Sequence, residues 1–573
     1  MEKWYHKLQS RAGQRILLAA LLGILVANAL YWGTKKEGFF GDELYSYHYV
    51  NQIEYPYITE DREGEPWMDF WHTSDFFMDY LTISEEEAFD IPGTYRSIAK
   101  DVHPPLYYLL LEMSCSAFGV AFPGAFSKWC GILVNIVFFL LTLLLLYKLA
   151  EYMTKSRTPS LVTCAFYGLG AGAVSTVVFV RMYMMFTCFG VLFTYLNALF
   201  WKRMREGKGK THHDTGLYAA LFVSTILGVL THYYFLVYAF FLCISIWLYS
   251  LITKKFGFAL RYAGTMAAGL VGSYLLWPDM KNDIFTGYRG TEAFDNFTGH
   301  MDSDAYKAFF SLINTELFGG CGIVLLLFLA AVIFAGILSF YWKVTKQTTE
   351  EGGMQLLLER KSRKEKMVFR LQESDFILVQ IGLAVFFYMM VIAKIAPYQE
   401  DRYLFNVLPM AAVSVVYLTG RIWNAGKNGR IWQRIVLAGL LCFALIGYLT
   451  TGVNYLYQGT EARLATAEQY SHLPAFYIHQ GSTFRACGDS VYFSKADAVY
   501  PTREEEIDTL AEALEAWEAA KGTEISQCLL YLDLRVSDAD SIVEQVKQEL
   551  EAKETTALFH TEYSAAYLVK MRE

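Results

Sequence analysis

An all-α polytopic membrane protein with a small extracytoplasmic α/β domain at its C-terminal end is the fold class this sequence predicts, on three observations. Of its 573 residues 54% are hydrophobic and only 18% charged, where soluble chains carry nearer a quarter charged. Apolar runs of about 20 residues recur along the chain, the length a helix needs to cross the hydrocarbon core. That pattern stops near residue 455, and a polar tail follows.

The first apolar run, 16–32, follows Lys3, Lys7, Arg11 and Arg15. No small-residue cleavage pattern comes after it, so it predicts a retained span with its N-terminus in the cytoplasm. Ten more runs lie near 130–148, 160–180, 183–201, 217–233, 235–252, 263–277, 319–341, 375–394, 403–423 and 434–453, for about 11 spans. One further stretch, 105–121, is ambiguous: it begins at the second residue of Pro104-Pro105 and contains Glu112.

Charge arbitrates. The loops 148–157, 202–210, 254–261, 343–370 and 427–434 are basic, and positive loops stay inside. The alternation closes only if 105–121 does not cross, so this stretch is expected along the outer interface, where its tyrosines suit the headgroup level. The first external loop then spans 35–121 and is acidic, with 16 Asp/Glu against five Lys/Arg between 35 and 103. The same face receives Arg181-Met182-Tyr183, the loop 279–318 and the link 394–403. The expected units are a membrane domain, 1–455, and an external tail, 456–573. The tail reads as strand 490–493, helix 504–520, strand 528–534, helix 539–551 and a last segment 557–569.

The net charge of -8 sits mainly in the first loop and the tail, with the basic residues in short loops. That distribution argues against a nucleic-acid partner and for membrane lipids. Nine cysteines include no CxxC pair, so metal or redox chemistry is not indicated. Cys487 and Cys528, the two in the polar tail, are either a disulfide or two buried thiols.

Chemistry concentrates where the first span leaves the membrane. Asp42 and Glu43 precede an aromatic run, Leu44-Tyr45-Ser46-Tyr47-His48-Tyr49, and a partly desolvated carboxylate there can accept a proton from a hydroxyl. In Asp101-Val102-His103-Pro104-Pro105-Leu106-Tyr107-Tyr108, His103 is a candidate donor to a phosphate oxygen, held extended by the prolines. Arg181 and Arg402 stand at outer ends of spans. Arginine is costly there, and its fork suits phosphate. Tyr45, His48, Tyr183, His232 and Tyr233 are candidate lining residues. Asp42, Glu43, His48 and His103 lack a zinc spacing; no cofactor is required, and a divalent metal stays an open alternative.

Gly41-Asp42-Glu43, the 101–108 stretch, Arg181-Met182-Tyr183 and Asp401-Arg402-Tyr403-Leu404 resemble the pattern of the GT-C membrane glycosyltransferases, closest to the family-39-like branch with protein O-mannosyltransferases and the lipid A aminoarabinose transferase. The likeness covers roughly 10–455; the tail carries no motif of the family. It implies a sugar donor on a polyprenyl phosphate and an active site at the outer leaflet of a plasma membrane. The acceptor would be a glycan, lipid or protein. The resemblance assigns the base to Asp42, with Glu43 assisting, and the carrier phosphate to Arg402. His103 falls where some relatives carry lysine near that phosphate. Arg181 falls near a position where other branches carry aspartate. It also implies two juxtamembrane helices in the first loop.

Two other functions compete. A flippase for lipid-linked saccharides would carry charges inside its spans, whereas here charges gather at span ends. A membrane scaffold acting through its tail would leave Asp42 without a role.

Overall fold

The computed structural model describes residues 10–206, 212–299, 303–324, 326–327, 330, 334, 342–348, 354–360, 372–423, 429–450 and 452–571. Its first helix, α1 (Arg11–Lys35), starts where the Ser10 hydroxyl accepts from the Gly13 N–H at 3.0 Å, satisfying one of the orphan donors of a helix start. The segment expected as the first external loop then folds as four helices, α2 (Gly41–Asn51), α3 (Ser74–Leu81), α4 (Ile91–Ile98) and α5 (Leu106–Ala121), with a two-residue strand β1 (His72–Thr73).

Helix α5 is the stretch 105–121. The Leu106 N–H bonds the Leu230 carbonyl, Ser114 Oγ donates to the Cys130 carbonyl at 2.8 Å, and Ser116 Oγ accepts from the Phe89 N–H at 2.9 Å. These partners all belong to the bundle end that carries α2, so α5 lies across that end. A crossing helix would meet the opposite end with its last turns.

The bundle continues with α6 (Trp129–Thr154), α7 (Arg157–Gly168), α8 (Ala171–Val178), α9 (Tyr183–Glu206), α10 (His212–Val229), α11 (Tyr234–Ile252) and α12 (Phe256–Leu276). Short helices α13 (Met280–Phe285), α14 (Tyr288–Thr298) and α15 (Ser303–Phe318) follow. A hairpin of β2 (Trp342–Thr348) and β3 (Met354–Arg360) falls within the basic stretch 343–370, where no strand was expected. Then come α16 (Glu373–Ile395), α17 (Leu408–Trp423) and α18 (Gly429–Thr450). Among the described residues five helices are long and apolar enough to span a membrane, six with α7 and α8 taken together; shorter apolar helices occupy other expected positions. Most of the run expected at 319–341 lies outside the described residues. Large apolar side chains such as Val137 and Leu275 stay 56% and 72% exposed, as lipid-facing positions do.

The run expected as one span at 160–180 is broken. Helices α7 and α8 meet at 60°, with Gly170 at the break. A Cβ there would stand 3.1 Å from the Tyr167 carbonyl oxygen and 3.2 Å from that of Glu316, a tight fit that glycine relieves. After α8 the chain runs extended through Phe179 and Val180. Asn135 Nδ2 holds this segment by donating to the carbonyls of Val177 at 3.1 Å and Phe179 at 2.7 Å. The break therefore fixes where Arg181 emerges.

The tail contains α19 (Thr460–Gln469), β4 (Ala475–Ile478), α20 (Thr483–Phe493), β5 (Ala498–Thr502), α21 (Leu510–Lys521), β6 (Gln527–Asp533), α22 (Ala539–Glu549), β7 (Ala552–His560) and β8 (Ser564–Met571). The sheet order is β1-β5-β4-β6-β8-β7. Strands β5, β4 and β6 are parallel, with Ala475 opposite both Val499 and Leu529; β8, β7 and β1 run antiparallel to their neighbours. Residues 490–493, expected as a strand, end helix α20 instead, because a four-residue apolar run does not distinguish the two. Cys487 and Cys528 are separate buried thiols.

One edge of this sheet, β1, comes from the first external loop. Leu44, Ile58, Trp67, Phe76 and Phe77 of that loop share one core with Ala475, Tyr477 and Val499. The tail therefore packs directly on the segment that carries Asp42.

Candidate active site

Helix α2 presents Asp42 and Glu43 in its first turn, and the two carboxylates part. Glu43 is fully buried. Its carboxylate accepts from Lys36 Nζ at 3.0 Å, from the Phe40 N–H at 2.7 Å and from the Val180 N–H at 2.7 Å. It ties the end of α1, the start of α2 and the approach to Arg181. This corrects the expectation that Glu43 assists the base: its oxygens are taken by three structural donors, and it does not line the cavity beside Asp42.

Asp42 remains 27% exposed and faces the cavity. Arg402 Nη1 donates to its Oδ2 at 2.7 Å. Burial alone would raise the Asp42 pKa, but Arg402 and then Arg181 outweigh it and hold the carboxyl below its ordinary value, so it is ionised at neutral pH. Glu400 lies 3.0 Å from Arg402 Nε, an ion-pair contact out of line for a hydrogen bond. Burial pushes the Glu400 pKa up, and Arg402 offsets part of that.

Arg181 is buried behind Asp42. Its Nη1 lies 3.1 Å from the Asp42 carbonyl, 3.0 Å from Ser46 Oγ and 2.9 Å from Tyr108 OH; its Nη2 is 3.2 Å from His103 Nε2. An arginine N–H can only donate, so His103 Nε2 accepts. The ring proton then sits on Nδ1, which donates to Asp101 Oδ2 at 2.6 Å. His103 was expected to offer an N–H to phosphate. In this arrangement both of its nitrogens are engaged, and it positions Arg181.

Among the described residues the Arg181 Nε–H is buried without a hydrogen-bond acceptor, whereas Arg402 Nε already faces the Glu400 carboxylate. A buried donor without an acceptor is rare in folded proteins. Arg181 and Arg402 line the same cavity, so the unfilled donor of Arg181 sits beside a second guanidinium.

The cavity has two lobes that share Asp42, His103, Arg181 and Arg402. One, of about 500 Å³, is polar and bounded by Tyr45, Tyr57, Phe484 and Arg535. The other, of about 290 Å³, runs toward the membrane helices past Leu236, Val237, Ile284 and Ile395. Tyr183, His232 and Tyr233, expected as lining residues, face this second lobe. Burial first, then the nearby cations, hold the His232 pKa well below its usual value, and its Nδ1 accepts from the Tyr234 N–H at 3.1 Å.

Tyr45 lines the polar lobe as expected. His48 does not: it is fully buried against Cys487 and Ser490 of α20, with Nδ1 3.5 Å from the Cys487 sulfur. Burial pushes its pKa down to about 3. On helix α2 it points one turn away from the cavity, toward the tail.

Sequence reasoning gave no role to Asp101, Ser46, Tyr108, Asp283 or Arg535, while Glu400 was one of two carboxylates, with Asp401, considered as an ion-pair partner of Arg402. Asp101 had a visible signal, two residues before His103 in an extended segment. Asp283 accepts from Trp277 Nε1 at 3.1 Å and from the Tyr233 hydroxyl. Among the described residues no group of three or more His, Cys, Asp or Glu side chains converges as a metal-ligand set.

No family model matches this sequence, and no curated protein matches it. The chain is similar to several solved structures. One is ArnT from Cupriavidus metallidurans bound to undecaprenyl phosphate, at 10% identity and a TM-score of 0.48 over 98% of each chain. Another is the archaeal oligosaccharyltransferase AglB from Archaeoglobus fulgidus in complex with an inhibitory peptide and a dolichol-phosphate. It has 10% identity and a TM-score of 0.41, over 95% of this chain and 74% of that one. The bound lipids and peptide belong to those proteins; the functional reading below rests on the residues of this chain.

Proposed function

We propose that this chain is a multi-pass membrane glycosyltransferase that moves a sugar from a polyprenyl-phosphate carrier to a hydroxyl or amine of an acceptor, with inversion. The observation that carries the reading is the meeting, in one cavity, of an open, ionised Asp42 with two buried arginines, Arg402 paired to it and Arg181 with an Nε–H that has no acceptor among the described residues. The apolar lobe supplies a path for an isoprenoid tail, and the polar lobe supplies room for sugar and acceptor.

In the proposed step the carrier phosphodiester sits between Arg402 and Arg181. The bond from the sugar's anomeric carbon to the phosphate oxygen breaks, and the electron pair leaves with the phosphate. Negative charge on the phosphate grows from one toward two, and the guanidinium groups bind it more strongly as it grows, which lowers the barrier. The acceptor oxygen attacks from the opposite face, and its proton passes to Asp42. The phosphate also competes with Asp42 for Arg402. As Arg402 turns toward it, the Asp42 carboxylate loses its nearest cation and becomes a stronger base. Two arginines offset the charge, so the scheme uses no metal, and transfer is expected to survive chelation.

The N-terminus is assigned to the cytoplasm and the cavity and tail to the outer face of a plasma membrane. The test combines transfer from radiolabelled polyprenyl-phosphate sugars to envelope extracts with cysteine labelling at position 42. Asp42→Asn should abolish transfer and leave the protein folded. Near-normal transfer by that variant, or labelling of position 42 from the cytoplasm, sinks the proposal.

A further inference from the structure

The tail closes one side of the polar lobe, and that side carries a cation with no partner. We infer that this wall selects an acidic saccharide as acceptor, with Arg535 meeting its anionic group; the inference rests on the glycosyl-transfer reading above. Among the arginines of this lobe, Arg402 pairs with Asp42 at 2.7 Å and Arg289 with Glu292 at 2.7 Å. Arg181 is held by Ser46, Tyr108 and His103. Arg535 lines the same lobe and is exposed. Among the described residues it has neither an ion pair nor a side-chain hydrogen bond.

Its position is built. Arg535 follows β6 in a turn fixed by the buried Asp533, whose Oδ1 accepts the Arg535 N–H at 2.8 Å and the Arg485 Nε–H at 2.5 Å. The guanidinium is therefore delivered from a rigid strand end.

The wall beside it is aromatic and continuous across the two parts of the chain. Phe484 of α20 lies 5.5 Å from Phe40 and 6.0 Å from Tyr45 between ring centroids, and Tyr45 stacks on Tyr49 at 6.0 Å. A sugar ring can lay its C–H face on such a surface. A carboxylate or phosphate on the same sugar would meet the guanidinium fork. A neutral sugar would keep the stacking and lose the ion pair.

The test uses the full chain in phosphatidylcholine nanodiscs and saturation-transfer NMR with three probes: glucuronate, glucose 6-phosphate and glucose. The wild type should bind at least one acid saturably and about tenfold more tightly than glucose, and the two acids separate carboxylate from phosphate recognition. Arg535→Gln should bring the acids down to the level of glucose with an unchanged melting temperature; Arg535→Lys should keep part of the preference. Equal binding of glucose and the acids, no saturable binding of either acid, or full retention by Arg535→Gln overturns the inference. Binding is read without transfer. Failure here with Asp42-dependent transfer intact removes only the acceptor assignment, whereas Asp42-independent transfer removes the reading beneath it.

Discussion

Asp42 and Glu43 are neighbours in the chain, yet Asp42 meets Arg402 at 2.7 Å at the cavity wall while Glu43 meets Lys36 at 3.0 Å with both side chains fully buried. One helical turn thus divides a carboxylate that faces the cavity from one sealed in a buried ion pair, and substitutions at the two positions should fail in different ways.

Asp42→Asn keeps the shape of the side chain and removes the proton acceptor. Transfer should fall by about 10²–10⁴-fold, with the melting temperature within a few degrees of the wild type. Single-turnover assays and thermal unfolding in the same detergent check both halves.

Glu43→Gln should do the reverse. It leaves Lys36 buried without its counter-charge, a loss that costs about 3–5 kcal/mol when a buried pair is broken. Yield and melting temperature should drop sharply. The double variant Lys36→Met/Glu43→Gln should recover much of that loss, because no buried charge remains.

Arg402→Lys keeps a charge and loses the fork. It should raise the apparent KM for the lipid donor by at least about tenfold. His103→Ala acts one step removed: Arg181 loses an acceptor, so donor KM should rise less than in Arg402→Lys. An unchanged donor KM in both variants would place the carrier phosphate elsewhere.

Glu316 sets a pH dependence of stability. Burial first, with Asp401 adding to it, pushes its pKa from 4.5 up to about 8. Asn454 Nδ2 lies 3.2 Å from Glu316 Oε1 and 2.7 Å from Asp401 Oδ2. The folded chain therefore holds a proton that the unfolded chain releases near its ordinary value. The stability tied to it is complete below about pH 4.5 and is lost as pH rises through about 8. Melting temperatures measured between pH 6 and 9 should decline in the wild type and decline less in Glu316→Gln.

Much of the site was legible because its parts are rare types in fixed places. Asp42, His103, Arg181 and Arg402 stand at ends of apolar runs, where a charge needs a reason, and the structure brings all four to one cavity. Which of Asp42 and Glu43 faces that cavity was not legible, since it depends on helix phase and on Lys36 and Val180 arriving from other segments. His48 was misassigned for the same reason. The apolar runs located the bundle helices, but the 60° break between α7 and α8, where Glu316 approaches Gly170, involves a distant contact that composition cannot reveal. Arg535 was invisible as a site residue because the tail's docking is tertiary.

Strand β1 and the aromatic side chains around it have a consequence for how the chain is made. Trp71 Nε1 donates to the Ala513 carbonyl at 3.0 Å, a partner 442 residues later, and His72 pairs with Val499. Synthesis delivers these residues early and their cover last. Until residues 498–513 emerge, the segment that carries Asp42 holds a lone strand edge and uncovered rings, the features that invite mispairing. Assembly of the candidate site thus waits for the strands and helix that cover β1, and nascent chains stalled before residue 499 should remain inactive and dependent on chaperones.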